Sequence, residues 1–178
     1  MTPQTHSSSL ASLESMPFLN NGEVSPTLAR KVGIYAIFDG DAVLQYVGYS
    51  RDVATSLRQH LVRCPEACHS IKVQTVDRPS RTLLETIRND WIAENGATPP
   101  GNGEAEAIWT QPIDVKLTMT PAEKAEYTAL EELAQIKYLK KIARRVEAQI
   151  VEGLKARGVT MDLRFNPKLK ESGLLDLK

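Results

Sequence analysis

The sequence predicts an α+β fold, in which a small three-stranded antiparallel sheet is flanked by helices and a long C-terminal helix is added. An apolar, β-branched run at residues 33–38 is followed by the turn residues Asp39-Gly40-Asp41 and by a second strand pattern at residues 43–48, as expected of a β-hairpin. Apolar residues with helical spacing follow the hairpin and return in the last third of the chain.

Composition narrows the class of protein. A chain of 178 residues with 42% hydrophobic residues can bury a real core. Its formal net charge of zero argues against non-specific coating of nucleic acid. Cys64 and Cys68 are too few for a disulfide framework, and the N-terminus has no secretory pattern. No stretch approaches the roughly 20 apolar residues of a membrane span, so we expect a cytoplasmic protein without a membrane segment.

Three regions are expected along the chain. Residues 1–30 begin with a Ser/Thr-rich stretch and are predicted to be a flexible N-terminal arm. Residues 31–118 carry the strand and helix patterns of a domain. Residues 119–178 are predicted to form a long amphipathic helix and a tail, and the tail is apolar enough to pack on the domain or to bind a partner.

The middle of the chain completes the predicted sheet. Asp52 is suited to cap a helix after the hairpin, and residues 71–76 alternate as a third strand. Ser80 then begins a helix that runs to about Asn95, where Gly96 ends it. Residues 109–117 contain a proline and are predicted to form either a short edge strand or a strap along the core.

The last third is predicted to be helical. Thr120-Pro121-Ala122-Glu123 is a capping box with proline at the first helical position. The helical pattern continues to Arg157, with a break near Thr128, and Gly158 ends it. Basic residues cluster in its middle: Lys137, Lys140, Lys141, Arg144 and Arg145. They form either an ordinary solvated face or a surface that contacts phosphate groups. Arg51, near the hairpin, is a further predicted phosphate contact.

Two tripeptides in the hairpin resemble the signature of the GIY-YIG nuclease family. The first is Gly33-Ile34-Tyr35, and the second is Tyr46-Val47-Gly48, with valine in place of isoleucine. His60, Glu85 and Asn102 follow at positions that resemble other family residues. The resemblance covers about residues 32–102 and implies a GIY-YIG-like domain.

The resemblance also implies a chemistry. A GIY-YIG protein is an endonuclease that hydrolyses a phosphodiester in DNA, with Mg²⁺ or Mn²⁺ as cofactor. Carried over to this chain, Glu85 would hold the metal ion, Tyr35 and Tyr46 would position or activate the attacking water, and His60 would assist. One carboxylate with several retained waters is a normal way for a protein to bind Mg²⁺.

One position departs from the family pattern. Ser56 stands where the family has an arginine that contacts the scissile phosphate. Arg58 lies two residues further along the predicted helix, a rotation of about 200°, so it does not replace that arginine. Loss of one such donor typically costs a factor of about 100 to 1,000 in rate.

Two functions are therefore expected from the sequence. The first is a metal-dependent endonuclease with an atypical site and nucleic acid, chiefly DNA, as partner. The alternative is a catalytically inactive module on the same fold, which binds nucleic acid or binds a protein through the C-terminal helix or tail. A zinc site formed by His60, Cys64, Cys68 and His69 is disfavoured, because their spacing does not fit a standard zinc pattern.

Overall fold

A computed structural model describes residues 7–178 and shows an α+β chain. Its helices and strands fall in two compact units, one that ends at Thr110 and one that spans Gln111–Lys178. The first unit contains β1 (Met16–Pro17), β2 (Gly33–Phe38), β3 (Leu44–Ser50), α1 (Val53–Arg63), β4 (Ser70–Thr75), α2 (Arg81–Asn95) and α3 (Glu106–Thr110). The second contains β5 (Ile113–Asp114), α4 (Pro121–Thr128), α5 (Glu132–Ala156) and β6 (Leu174–Leu175).

The main sheet has four strands in the order β1-β4-β2-β3, and every neighbouring pair is antiparallel. The prediction of three strands is corrected by β1, in which Met16 pairs with Ile71 and Pro17 with Ser70. A strand of two residues, one of them proline, leaves no alternation to read from sequence. The antiparallel arrangement and the flanking helices are confirmed.

The predicted hairpin is confirmed as β2 and β3. The Asp39 side chain accepts hydrogen bonds from the backbone N–H groups of Asp41 and Val43, at 2.9 and 3.0 Å. Ala42 has φ +60°, a conformation that few non-glycine residues adopt. Tyr35 lies opposite Gly48, and Ile37 opposite Tyr46, so both motif tyrosines leave the sheet on the same face.

The other face of the sheet packs against α2 and forms the core. Ser80 caps α2 by accepting from the Leu83 N–H, and Gly96 ends it with φ +81°, as predicted. The buried cluster between helix and sheet contains Leu10, Ile34, Ala36, Leu44, Val47, Val76, Leu84, Ile87 and Trp91. Burial of these side chains stabilises this unit, together with the fully buried apolar side chains of α1 such as Leu57.

The segment that precedes β2 is attached to the sheet and to α2. Leu10 and Phe18 are buried, and the Glu94 carboxylate accepts the backbone N–H groups of Leu10 and Ala11 at 2.7 and 3.0 Å. Residues 1–6 of the predicted arm lie outside the described residues. The boundaries at residues 30 and 118 stay a prediction.

The outer edge of β3 is covered by one asparagine side chain. Asn102 Oδ1 accepts the Val47 N–H, and Asn102 Nδ2 donates to the Val47 carbonyl, both at 2.8 Å. The amide therefore pairs with the strand as a neighbouring strand would.

Substitution of Asn102 with alanine is expected to destabilise the first unit by about 1–3 kcal/mol, because two partly buried backbone groups lose their partners. Urea denaturation followed by circular dichroism measures this change. Asn102→Asp separates the two hydrogen bonds: it keeps the acceptor for the Val47 N–H but, when ionised, cannot donate to the Val47 carbonyl, so it should also lose stability. Equal stability of the alanine variant and the native chain would show that water replaces the amide at no cost.

The second unit is built around α4 and α5. Both halves of the predicted capping box at Thr120 and Glu123 are present, and the helix breaks after Thr128 as predicted. The tail returns along α5, with Phe165 and Leu175 buried and β6 paired with β5. Residues 109–117 split between the end of α3, strand β5 and a 3₁₀ turn at Val115–Thr118. Among residues 7–178, no helix is both long and apolar enough to cross a membrane.

Candidate functional site

Two hairpin tyrosines and one helix histidine form an aromatic cluster in the first unit. The ring centroids of Tyr35 and Tyr46 are 6.1 Å apart, and that of His60 lies 4.7 Å from Tyr46. Trp109 of α3 stacks on Tyr46 at 5.3 Å with an interplanar angle of 5°. A Cβ at Gly48 would meet the hydroxyls of both tyrosines at 2.9 Å, so glycine leaves the space that the two rings occupy.

A hydrogen bond joins the centre of this aromatic cluster. The Tyr35 hydroxyl lies 2.8 Å from His60 Nε2, and both side chains are buried. Asp52 caps α1 by accepting the Thr55 N–H, as predicted, and this fixes the start of the helix that carries His60. The structure thus brings together three of the predicted site residues: Tyr35, Tyr46 and His60.

Burial keeps this aromatic cluster uncharged at neutral pH. Burial and, to a lesser degree, the nearby Arg63 charge together lower the pKa of His60 from 6.5 to about 3. Burial also raises the pKa of Tyr35 well above its usual value of 10, and it raises the pKa of Tyr46. A general base works best with a pKa near the operating pH, so these groups offer hydrogen bonds and not proton abstraction.

Ser56, at the position of the family arginine, belongs to a hydroxyl pair. Its Oγ donates to Ser50 Oγ at 2.7 Å, and it also acts on the pKa of Tyr35 as a hydrogen-bond partner. Positive charge acts on the tyrosines instead from Arg88, which lowers the pKa of Tyr46, and from Arg63, which lowers the pKa of both. The Arg63 guanidinium donates to the Trp109 carbonyl at 2.9 Å. Arg63 lies two turns after Ser56 on the same helix.

Glu85 is held outside the aromatic cluster. Its Oε1 accepts from Tyr49 at 3.2 Å and from Arg81 at 2.7 Å. Tyr49 leaves β3 on the face opposite to Tyr46, because strand residues alternate, and it packs against the core beside α2. The Arg81 hydrogen bond lowers the pKa of Glu85, which is therefore an ionised carboxylate that already has a cationic partner.

A groove lies next to this Arg81–Glu85 pair. Its volume is about 540 Å³, and it is lined by Val32, Tyr49, Ser50, Arg51, Pro79, Ser80, Arg81 and Leu84. Arg51 is exposed at its rim. Arg88 lies over the Tyr49 ring, 5.4 Å from the centroid.

The basic residues of α5 point in two directions within the second unit. Arg145 forms an ion pair with Glu123 of α4, and Lys141 lowers the pKa of the same carboxyl. Lys140 and Arg144 instead line a cavity beside the tail. Lys137 is exposed. The five cations therefore do not form one continuous contact surface.

Neither Cys64 nor Cys68 forms a disulfide bond among the described residues, and both have limited access to solvent. Cys68 is fully buried, and Cys64 is partly buried. Burial raises the pKa of Cys64 from 9.0 to about 11. A reactive thiol needs an accessible sulfur and a lowered pKa. The pKa of Cys64 is raised, and the Cys68 side chain is fully buried.

Alkylation of the native protein is therefore expected to be slow at pH 7. The rate at Cys64 should rise with pH toward a midpoint near 11, since the thiolate is the reacting form. Mass spectrometry of iodoacetamide-treated chain, with Cys68→Ser to isolate Cys64, measures that midpoint. A midpoint below 8.5 would contradict the burial of this thiol.

No cluster of three or more His, Cys, Asp or Glu side chains suited to hold a metal ion occurs within residues 7–178. Glu85 is bound by Arg81 and Tyr49. This arrangement does not fit the predicted Mg²⁺ or Mn²⁺ site.

Sequence reasoning missed three residues that shape these sites. Trp109 lies in a short helix, where the sequence pattern predicts a strand or strap. Arg63 lies two helical turns after Ser56, so helical periodicity is the signal that points to it. Tyr49 follows the second tripeptide by one residue, and its alternation out of the tyrosine face was readable from the strand pattern.

Comparison with known proteins finds a relative whose name differs from the family suggested by the tripeptides. No family model matches the chain. The chain is 37% identical over 109 residues to a protein named bifunctional monothiol glutaredoxin-S16, chloroplastic, of Arabidopsis thaliana. The match covers 57% of this chain and 37% of the relative, so the chain spans well under half the length of that protein.

The name of this relative contradicts the assignment to the GIY-YIG nuclease family, and we withdraw it. The predicted endonuclease and hydrolase activity, the inactive binding module as its alternative, the Mg²⁺ or Mn²⁺ cofactor and the DNA partner are corrected with it. The physical reasons are a serine in place of the arginine, a carboxylate paired with Arg81 and an uncharged tyrosine–histidine cluster. Two tripeptides are also a short basis for a family assignment.

Proposed function

We propose that this chain functions in a monothiol-glutaredoxin redox system, as a domain that does not itself carry the reactive thiol. The affiliation is supported by the relative's name, which describes a glutaredoxin with two functions. The observation that supports the absence of a reactive thiol is the full burial of Cys68 together with the raised pKa of the partly buried Cys64. The thiol exchange of such a system is assigned to another segment or protein.

The groove beside α2 is proposed as the ligand site of this domain. The soluble thiol of a glutaredoxin system is glutathione, a flexible tripeptide with two carboxylates and one ammonium group. Arg51 is placed to pair with one carboxylate, and the adjacent Arg81–Glu85 pair offers both charges to the zwitterionic end. The volume of about 540 Å³ falls within the range of small-molecule sites.

The predicted site residues keep a proposed role in this function. Glu85 is proposed as a contact for the ligand's ammonium group and not for a metal ion. Tyr35, Tyr46 and His60 are proposed to act as neutral hydrogen-bonding groups, which agrees with the directions of their pKa shifts. A reducing compartment is proposed as well, since Cys64 and Cys68 form no disulfide among the described residues, and the cytoplasm predicted from the sequence is one such compartment.

A titration of the full chain with reduced glutathione, followed by NMR of the backbone amides, tests this function. We expect saturable shifts at Arg51, Ser80 and Arg81. Arg51→Glu should weaken binding about tenfold or more, because a charge-assisted hydrogen bond becomes a repulsion.

Arg58→Glu is the matched control, since Arg58 is exposed on α1 and does not line the groove. Its affinity should stay within about twofold of the native value, because exposed distant charges are screened. Absence of shifts at a glutathione concentration of about 10 mM would refute the groove as a glutathione site. Equal weakening by both variants would refute it too.

A further inference from the structure

We infer that the second unit contains a binding site for a phosphate monoester of a small molecule, in the cavity between α5 and the tail. The cavity has a volume of about 230 Å³ and is lined by Lys140, Arg144, Pro167, Lys168, Lys170 and Glu171. Four of these six residues are cations and one is an anion. This inference is independent of the glutathione proposal, because it concerns other residues in the other unit.

The ion pairs around this cavity neutralise two of the four cations. Lys140 Nζ lies 3.0 Å from Glu171 Oε1, and Lys170 pairs with Glu147. Within the described part of the chain, no ion pair is recorded for Arg144 or Lys168. The cavity therefore retains two positive charges, and a phosphate monoester carries about −1.5 to −2 at neutral pH.

The cations that line this cavity come from two segments of the second unit. Lys140 and Arg144 are one turn apart on α5, where Glu171 offsets the charge of Lys140 and leaves that of Arg144. Lys168 and Lys170 come from the tail and approach the same space. Arginine and lysine are the side chains that bind phosphate oxygens through charge-assisted hydrogen bonds.

The walls of this cavity are fixed before a ligand arrives. The 3₁₀ turn at Leu169–Ser172 ends at Gly173, which has φ +70°, and a Cβ there would lie 3.1 Å from Leu139 Cδ2 of α5. The two ion pairs join the same turn to the helix. Such preorganisation lowers the entropic cost of binding.

The size of the cavity selects a small ligand. A volume of about 230 Å³ is below the 300–1,000 Å³ of sites for larger organic molecules. It accommodates a phosphate group with a short remainder. Long polyanions such as nucleic acid would need a continuous basic surface, and the α5 cations are divided between two directions.

Isothermal titration of the full chain with inorganic phosphate and with glycerol phosphate, at constant ionic strength, tests the site. We expect both to bind and the ester to bind more tightly. Arg144→Gln and Lys168→Gln should each weaken affinity about tenfold or more, because each loses a charge-assisted hydrogen bond.

Lys141→Gln is the matched control: it removes the same charge from the same helix, but Lys141 acts on Glu123 and does not line the cavity. It should change affinity less than about twofold, because exposed distant charges are screened. Equal weakening by Lys141→Gln would show a general field effect and overturn the inference. Absence of phosphate binding to the native chain would overturn it as well. So would binding of single-stranded DNA that inorganic phosphate does not displace.

Discussion

Replacement of Trp91 by alanine is expected to lower the free energy of unfolding by about 3–5 kcal/mol. Trp91 is completely buried in the cluster between α2 and the sheet. The alanine variant loses the buried ring and leaves a cavity that the surrounding strands cannot fill by relaxation. It also leaves the Ser8 carbonyl without the indole N–H that donates to it at 3.0 Å. Urea denaturation at pH 7 measures the loss.

Trp91→Phe is the matched control for the size of this effect. Phenylalanine keeps much of the aromatic volume and loses only the indole hydrogen bond and part of the ring, so a smaller loss is expected. A native-like free energy of unfolding for Trp91→Ala would mean that burial of this side chain between α2 and the sheet does not stabilise the first unit.

Acidification is expected to destabilise the chain through His60, by about 2 kcal/mol between pH 7 and pH 5. The pKa of His60 is about 3 in the folded chain, against a usual value of 6.5. The unfolded state therefore binds a proton below pH 6.5 that the folded state binds only near pH 3. The stability from neutral His60 is complete above pH 6.5 and is lost progressively as pH falls from 6.5 to about 3.

A pH series of urea denaturations, restricted to pH 5–7, isolates this histidine. Carboxyl groups with lowered pKa values, such as Glu123 at about 2, titrate mostly below this window in both states. The control is His60→Gln, which stays uncharged and can still hydrogen-bond to Tyr35. The variant should show a much flatter pH dependence. A native slope in His60→Gln would place the acid sensitivity on another group.

Most of the first unit is readable from local sequence signals. The hairpin has a strong turn at Asp39, and both flanking helices have capping residues, Asp52 and Ser80, whose hydrogen bonds are present. Strand β1 was missed because its place is decided by pairing with β4 and not by its own residues. Its Met-Pro sequence carries no strand signal.

Local sequence patterns predict some features of the candidate sites and not others. Strand alternation and the hairpin register place Tyr35 and Tyr46 on one face from sequence alone. The hydrogen-bond partners of Glu85 depend on side-chain geometry, which these patterns do not specify. In the structure its carboxylate accepts from Arg81 and Tyr49. The separation of Lys140 and Arg144 from Lys141 and Arg145 depends on where α4 and the tail pack, which helical periodicity does not specify.

The functional affiliation depended on information outside these local patterns. Gly33-Ile34-Tyr35 and Tyr46-Val47-Gly48 suggested a nuclease family, and the comparison with a bifunctional monothiol glutaredoxin contradicted it. Short motifs occupy strand positions where β-branched, aromatic and glycine residues are common for structural reasons. The match over 109 residues rests on many more positions.

The most direct test of the account is a glutathione-dependent assay for reduction of a mixed disulfide, run on this chain alone. Native chain, Cys64→Ser and Cys68→Ser are compared at pH 7. All three are expected to show the same rate, equal to the background without protein, because Cys68 is fully buried and the partly buried Cys64 has a raised pKa. Turnover above background that disappears in Cys64→Ser would contradict it and would place the redox thiol of the system on this chain.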